Sequence, residues 1–414
     1  MHMGLHRDPS EQFAASRPRL VHEVCLRLWN TVLELALQSS FVAGKPPLVS
    51  LGDFDAPCPG NFDDDQLMPG LIDPCPKPEQ VFTQTTIAIA LRKTFPLRLA
   101  AAKMLNDTNA QGTYEETKRL DQGLRAIYKD VFQNLTRAKL VSRASAPRFD
   151  TNALDVIVHR YISSLHVPFL DRDQHETAYA YSRQATVDAA LRIWRAASPS
   201  WHKTAPELSA HSTNSLGSPS GADKFARFAR CGSAAGFFRS SAFYANLTVA
   251  LELKTQLQEQ ESFGPAMLRP DLLSVLQDAK HFTLRCVNAG ETNVKGYIFI
   301  CLLMAQIESL QRGAEPDDVR GAIVKAVEKA LDVCLHSLEA MRTTGSRRKI
   351  SDSRLDDTHA AALALPSEMD RGCDTHVPGI MPQSTDESFD LMNWIITDEG
   401  TLDGALWVGS MGSR

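Results

Sequence analysis

The run Leu20-Val-His-Glu-Val-Cys-Leu-Arg-Leu-Trp-Asn-Thr-Val-Leu-Glu-Leu-Ala-Leu-Gln-Ser-Ser-Phe-Val42 sets the architecture of the whole chain. Apolar residues recur in it at Val21, Cys25, Leu28, Val32 and Leu35, and a second row follows at Leu26, Trp29, Leu33 and Leu37. Steps of three and four residues place each row along one side of an α-helix. Glu23, Arg27, Asn30 and Glu34 form one narrow polar stripe between the rows, so the helix is expected to be buried over most of its surface. Gly44 ends it, and Pro46-Pro47 cannot extend it.

Beyond Gly44 the chain is read as an extended loop to Asp65, carrying five aspartates: Asp53, Asp55, Asp63, Asp64 and Asp65. Asp and Asn favour loops because their side chains bond nearby backbone amides, and Asp63 to Asp65 are placed to cap a short helix at its positive end. A calcium loop would need alternating ligands, a turn glycine and a closing Glu, which this stretch lacks. A magnesium site built on paired helical aspartates would need a third carboxylate one turn on, where Leu67 and Met68 stand.

Helical spacing continues down the chain. Glu79 to Asn106 reads as a helix interrupted near Pro96, and Thr113 to Val141 as a long one with Thr117, Leu120, Leu124, Ile127, Val131 and Leu135 on one face. Asn152 to Leu165 follows, with Leu154, Ile157, Tyr161 and Leu165 in register. A further helix opens at Tyr179 and continues through Ala189, Ala190, Ile193 and Trp194.

Residues 198–222, rich in Ser, Pro, Gly, His and Asn, read as a linker. A second helical block, 223–343, is expected to bury Phe225, Phe228, Phe237, Phe238, Phe243, Leu247 and Leu251, then Leu272, Leu276, Ala279, Phe282 and Cys286. Its last two rows are Ile300, Met304, Ile307 and Leu310, and Val319, Ile323, Val327, Leu331, Cys334 and Leu338. No alternating strand pattern survives a length test, so the fold is predicted to be all-α.

Composition narrows the function classes. A chain of 414 residues with 43% hydrophobic and 22% charged residues can bury a sizeable core. Its formal charge of -5 argues against broad polyanion binding, so any DNA contact is expected to be local or to lie outside the chain. The eight cysteines include no Cys-x-x-Cys pair and mostly sit in apolar helical contexts, which points to a reducing, intracellular setting. The longest apolar run, Tyr297 to Ala305, is far short of a membrane span, and no secretory signal opens the chain. No phosphate loop, nucleophile elbow, His-Glu-x-x-His or dinucleotide fingerprint is present. His159 and His166 lack a third ligand and read as satisfied histidines. No catalytic, cofactor-binding or metal-ligating residue is therefore assigned.

Several separated motifs, in order, carry a resemblance. They are Gly4-Leu-His-Arg-Asp8, Arg27-Leu-Trp29, the loop Asp53 to Asp64, His166-Val-Pro-Phe169 after Leu165, Tyr179 with Tyr181-Ser-Arg183, and Gly290-Glu-Thr-Asn-Val-Lys-Gly296. Together, over residues 3 to 312, they resemble the regulatory region of fungal binuclear zinc-cluster transcription factors. The six closely spaced cysteines of that family's zinc module do not occur in the chain. Met1 lies only three residues before the first motif, so the helices that would cover the Leu20–Val42 helix, and the DNA-reading module, are expected to be missing. The resemblance implies a nuclear, pathway-specific regulator of RNA polymerase II transcription, serving a secondary-metabolite gene cluster. Residues 1–197 would be the C-terminal part of the regulatory domain. It further implies a homodimer, no membrane association, no cofactor in this chain, and DNA reached through a missing module or a partner.

The C-terminal stretch, 344–414, differs in character. Residues 344–388 lose hydrophobicity and are expected to be disordered. In 389–414, Phe389, Leu391, Met392, Trp394 and Ile395 are bracketed by Asp386, Glu387, Asp390, Asp398 and Glu399. Acidic neighbours keep bulky apolar side chains solvated and available to a coactivator groove, so this is the expected activation segment; the bland counterpart is a last helix docked on the core. Two rival functions remain, a non-catalytic all-α interaction scaffold and an all-α metal-dependent enzyme using Asp53, Asp55, Asp63 and Asp64.

Overall fold

The computed structural model describes residues 4–12, 19–68, 74–107, 113–142, 148–170, 179–198, 236–258, 268–289 and 292–355. Among them no strand occurs, in agreement with the helical spacing. The helices are α1 (Pro9–Gln12), α2 (Arg19–Val42), α3 (Thr86–Leu105), α4 (Tyr114–Ser142), α5 (Arg148–His166), α6 (Ala180–Ala197), α7 (Gly236–Gln258), α8 (Pro270–Asn288), α9 (Lys295–Gln311) and α10 (Pro316–Leu355). Short 3-10 turns cover Leu51–Asp53, Asp64–Leu67 and Val167–Phe169. No described helix is long and apolar enough to cross a membrane.

Two compact units divide the chain between Phe282 and Thr283, inside α8. In the first, α5 packs on α3 and α6, α3 on α2 and α4, and α6 on α7. Its core gathers Trp29, Leu33 and Leu37 from α2, Phe95 and Leu99 from α3, Leu120 and Leu124 from α4, and Val158, Tyr161 and Ile162 from α5. Trp194, with no exposed surface, meets the edge of the Phe282 ring at 5.3 Å between centroids. In the second unit α9 packs along α10, and Val287, Tyr297, Cys301, Ala330 and Cys334 form its core.

Several expectations need correction. In α2 the row Leu26, Trp29, Leu33 and Leu37 is buried, but Leu28 (47%), Val32 (41%) and Leu35 (62%) of the other row are exposed. The reason is that Glu23, Asn30 and Glu34 are turned inward to serve polar partners, which rotates the second row outward. Helix α3 begins at Thr86 and passes through Pro96 unbroken. One turn before the proline, the Thr94 hydroxyl and the Arg98 guanidinium both donate to Leu91 O, at 2.9 and 2.8 Å.

In α7 the fully buried face is Ala242, Ala245, Val249 and Leu253, while Phe243, Leu247 and Leu251 are only half-buried. Small residues let α7 lie close against the alanine-rich α6, an arrangement that bulky aromatics would prevent. In α10 Leu331 is exposed, whereas Val319, Ile323 and Cys334 are buried. Helical backbone continues in α10 to Leu355. Almost all of 198–222, Phe225 and Phe228, the rest of 344–388 and the whole of 389–414, including Phe389, Leu391, Met392, Trp394 and Ile395, lie outside the described residues.

Candidate regulatory site

The first three motifs fold onto one another. His6 O accepts from Asp55 N and Ala56 N, each at 3.1 Å, while the Asp55 carboxylate accepts from Asp8 N (2.7 Å) and Arg7 Nη1 (3.1 Å). The Arg7 hydrogen bond, added to that from the Asp8 amide, holds the Asp55 carboxyl below the usual range. Behind this junction His6, Trp29, Phe54 and Phe95 form a run of rings with centroids 5.7 to 6.4 Å apart, and Arg92 lies 4.6 Å over Phe54. Arg92 Nη2 also donates to Ala56 O at 2.9 Å.

The acidic loop is held residue by residue. Glu23 Oε2 accepts from Gly60 N at 2.9 Å, and Arg27 donates to Asp64 Oδ1 (2.6 Å) and Phe62 O (3.2 Å). Asn61 is buried and fully used: its Nδ2 donates to the carbonyls of Lys77, Pro78 and Val81, and its Oδ1 accepts from Thr83 and Thr86. Asp63 pairs with Lys77, and its backbone amide donates to Gln66 Oε1 at the start of the short helix, the capping role expected for it. Asp53 Oδ2 accepts from Ser50 N at 2.6 Å.

Asp53, Asp55, Asp63 and Asp64 thus each answer to a different partner and do not converge. Among the described residues no three His, Cys, Asp or Glu side chains are grouped to hold a metal ion. Cys58 and Cys75 are both free thiols. A shallow cleft between α3 and α4 is lined by Asn61, Lys93, Asn134 and Glu79, and its lysine charge is already met by Glu79 at 2.8 Å.

The next two motifs meet around Asp121 of α4, a carboxylate with no exposed surface that spacing alone did not single out. It accepts from Tyr181 Oη at 2.5 Å and Arg125 Nε at 2.7 Å, and His166 Nε2 lies 3.5 Å away. Burial pushes this carboxyl up, but the His166 and Tyr181 contacts and the Arg125 charge outweigh it and leave it below its ordinary range. His166 Nδ1 bonds Ser182 Oγ at 2.9 Å, and Tyr179 stacks on Phe169. Arg183 forms a two-pronged pair with Glu252 of α7 at 2.7 and 3.1 Å.

His159 bonds Asp155 O at 2.8 Å, and burial lowers its pKa to about 4. Both histidines are engaged, as the sequence suggested. The matched residues therefore act as joints between helices. The polar residues at these joints are tied to other protein groups.

The chain is a homologue of fungal Zn(2)-C6 transcription factors. It is 27% identical to transcription factor asR3 of Sarocladium schorii over 89% of this chain and 44% of that protein. It is 29% identical to transcription factor opdR of Penicillium oxalicum over 85% of this chain and 45% of the relative. With the aspyridones cluster regulator apdR of Emericella nidulans it shares 28% identity over 84% of this chain and 46% of the regulator. The chain thus spans less than half the length of these relatives. No family model matches the chain. No solved structure matches it either.

Proposed function

We propose that this chain is the regulatory body of a pathway-specific regulator of RNA polymerase II transcription serving a secondary-metabolite gene cluster. The observation that carries the reading is the similarity, at 27–29% identity over 84–89% of the chain, to transcription factors that include a cluster regulator. The joints described above support it, because a helical body tied by carboxylate, tyrosine and arginine contacts can take up a signal by changing how its helices sit. DNA is reached through a partner or through sequence beyond these 414 residues. The protein works in the nucleus as a homodimer, needs no cofactor in this body, and hands the signal to a coactivator through Phe389, Leu391, Met392, Trp394 and Ile395.

The test is a fusion of residues 1–414 to a foreign DNA-binding domain, read with a reporter in a fungal host. Activation is expected, and Trp394→Ala should reduce it several-fold. A well-expressed, folded fusion that neither activates nor represses would sink the reading and favour an interaction scaffold. Cofactor independence has its own readout: a chelator should leave the thermal midpoint of the purified chain unchanged.

A further inference from the structure

Where α5 meets α7 and the C-terminal end of α2, the first unit holds a guanidinium that has no counter-ion. Arg160 of α5 is half-buried, and its guanidinium lies 4.3 Å from the ring centre of Tyr244 on α7 and 5.6 Å from that of Phe41 on α2. The Phe41 ring is itself stacked on Tyr161 at 4.2 Å, so this wall is fixed by the core. Of the five N–H groups that a guanidinium carries, one is spent: Nη1 donates to Ser164 Oγ at 3.0 Å, one turn along α5. The last carbonyls of α2, those of Ser39, Ser40 and Phe41, are already met by the amides of Ala43, Lys45 and Gly44.

The arginines that tie the first unit together behave differently, because each meets a carboxylate: Arg7 with Asp55, Arg27 with Asp64, Arg98 with Glu34, Arg125 with Asp121, and Arg183 with Glu252. Arg92, which also lies over aromatic rings, is within the charge of Glu34. For Arg160, burial draws the pKa below its ordinary value and only Tyr244 and Tyr161 oppose it. Among the described residues no carboxylate and no second cation bears on it. A guanidinium withdrawn from water with most of its donors unspent is stabilised best by a planar anion that fits its fork.

We propose that Arg160, walled by Phe41 and Tyr244, is the binding site for a small organic carboxylate with an apolar body. The carboxylate takes the unspent N–H groups of the guanidinium, and its apolar part rests against the two rings. One guanidinium matches one negative charge. A phosphate carries more charge and finds no second cation here, so it is the poorer fit. The walls come from three helices distant in sequence, and a bound carboxylate therefore ties α7 and the end of α2 to α5. The inference deepens the reading of the chain as a regulatory body, on which the ligand's role as a signal rests, by naming the class of that signal.

The test uses the purified full chain, titrated by calorimetry with benzoate, with benzamide as its uncharged counterpart, and with inorganic phosphate. Benzoate should bind at a single saturable site with a Kd of roughly 0.1–10 mM, the range open to a ligand of this size. Benzamide and phosphate should bind at least about tenfold more weakly, since neither offers a singly charged planar fork. Arg160→Met keeps the apolar stem and removes the charge, so it should lose benzoate binding at an unchanged or higher thermal midpoint. Ser164→Asp sets a carboxylate where the serine hydroxyl already meets Nη1. It should fill the site from within, raising the thermal midpoint and abolishing the benzoate response, and it decides the matter even where the methionine variant fails to fold. Absence of saturable benzoate binding overturns the proposal, as does binding that survives either variant. Benzamide or phosphate binding as tightly as benzoate overturns it too. No reporter enters these measurements: a chain that binds benzoate but is silent as a reporter fusion faults the regulator reading alone, and a fusion that activates in a chain without benzoate binding faults the site alone.

Discussion

Arg98 shows how a single residue can hold three helices in register. It has no exposed surface, donates to Glu34 through two nitrogens (2.9 and 2.5 Å), to Thr94 Oγ1 (2.9 Å) and to Leu91 O, and its guanidinium lies 5.6 Å from the Tyr161 ring centre. Removing one member strands the other as an unpaired charge of low exposure. Arg98→Leu is expected to cost about 3–5 kcal/mol in denaturant unfolding, and the double change Glu34→Leu/Arg98→Leu less than the single one.

Asp155 and His159 give a pH test at the same scale. Burial raises the Asp155 carboxyl from its ordinary 3.8 to about 6, against the pull of Arg192, so the native state holds a proton that the unfolded chain has lost. Stability from this group falls as pH rises from 3.8 to 6. His159 runs the other way: its pKa drops from 6.5 to about 4, so stability rises with pH through that window and is lost on acidification. The two slopes oppose each other. Asp155→Asn, which can still accept from Tyr128, should gain about 1–3 kcal/mol at pH 8, lose that advantage below about pH 4, and uncover a steeper rise from 4 to 6.5 in thermal melts.

Among the elements, α2 shows both how far sequence reasoning reaches and where it stops. Its period, its polar stripe and its end at Gly44 were all legible in the sequence, and Gly44 does adopt φ 58° while Lys45 N closes back onto Ser40 O at 2.9 Å. A Cβ there would be strained, so Gly44→Ala should cost about 1–2 kcal/mol, read as a lower denaturant midpoint at unchanged m-value. Which of the two apolar rows is buried was not legible, because it depends on where Gly60, Ala88 and Arg98 stand to receive Glu23, Asn30 and Glu34. Those partners are 37 to 64 residues away in sequence. Asp121 was missed for the same reason: nothing in the spacing of α4 says that Tyr181, 60 residues on, arrives at its carboxylate. Local periodicity reports faces, whereas polar pairing is settled only when distant helices meet.

For the whole molecule, the reading as a regulator requires that keeping the fold and signalling outward be carried by different parts of the chain. The joints described in the first unit, Asp121 with Tyr181, Arg98 with Glu34, Asp55 with Asp8, and Arg183 with Glu252, lie between residues 8 and 252. The acidic-aromatic segment begins at Phe389, well over a hundred residues further along the sequence. Deleting 389–414 should therefore abolish reporter activation by the fusion while leaving the thermal midpoint of the chain unchanged. Arg98→Leu should do the reverse, lowering the midpoint while activation persists at temperatures where the body stays folded. Combining the two changes should give the sum of their separate effects on stability, as expected of sites with no shared partner. A truncated chain that melts several degrees lower would instead show that 389–414 packs as part of the folded body, and the division of labour would fail.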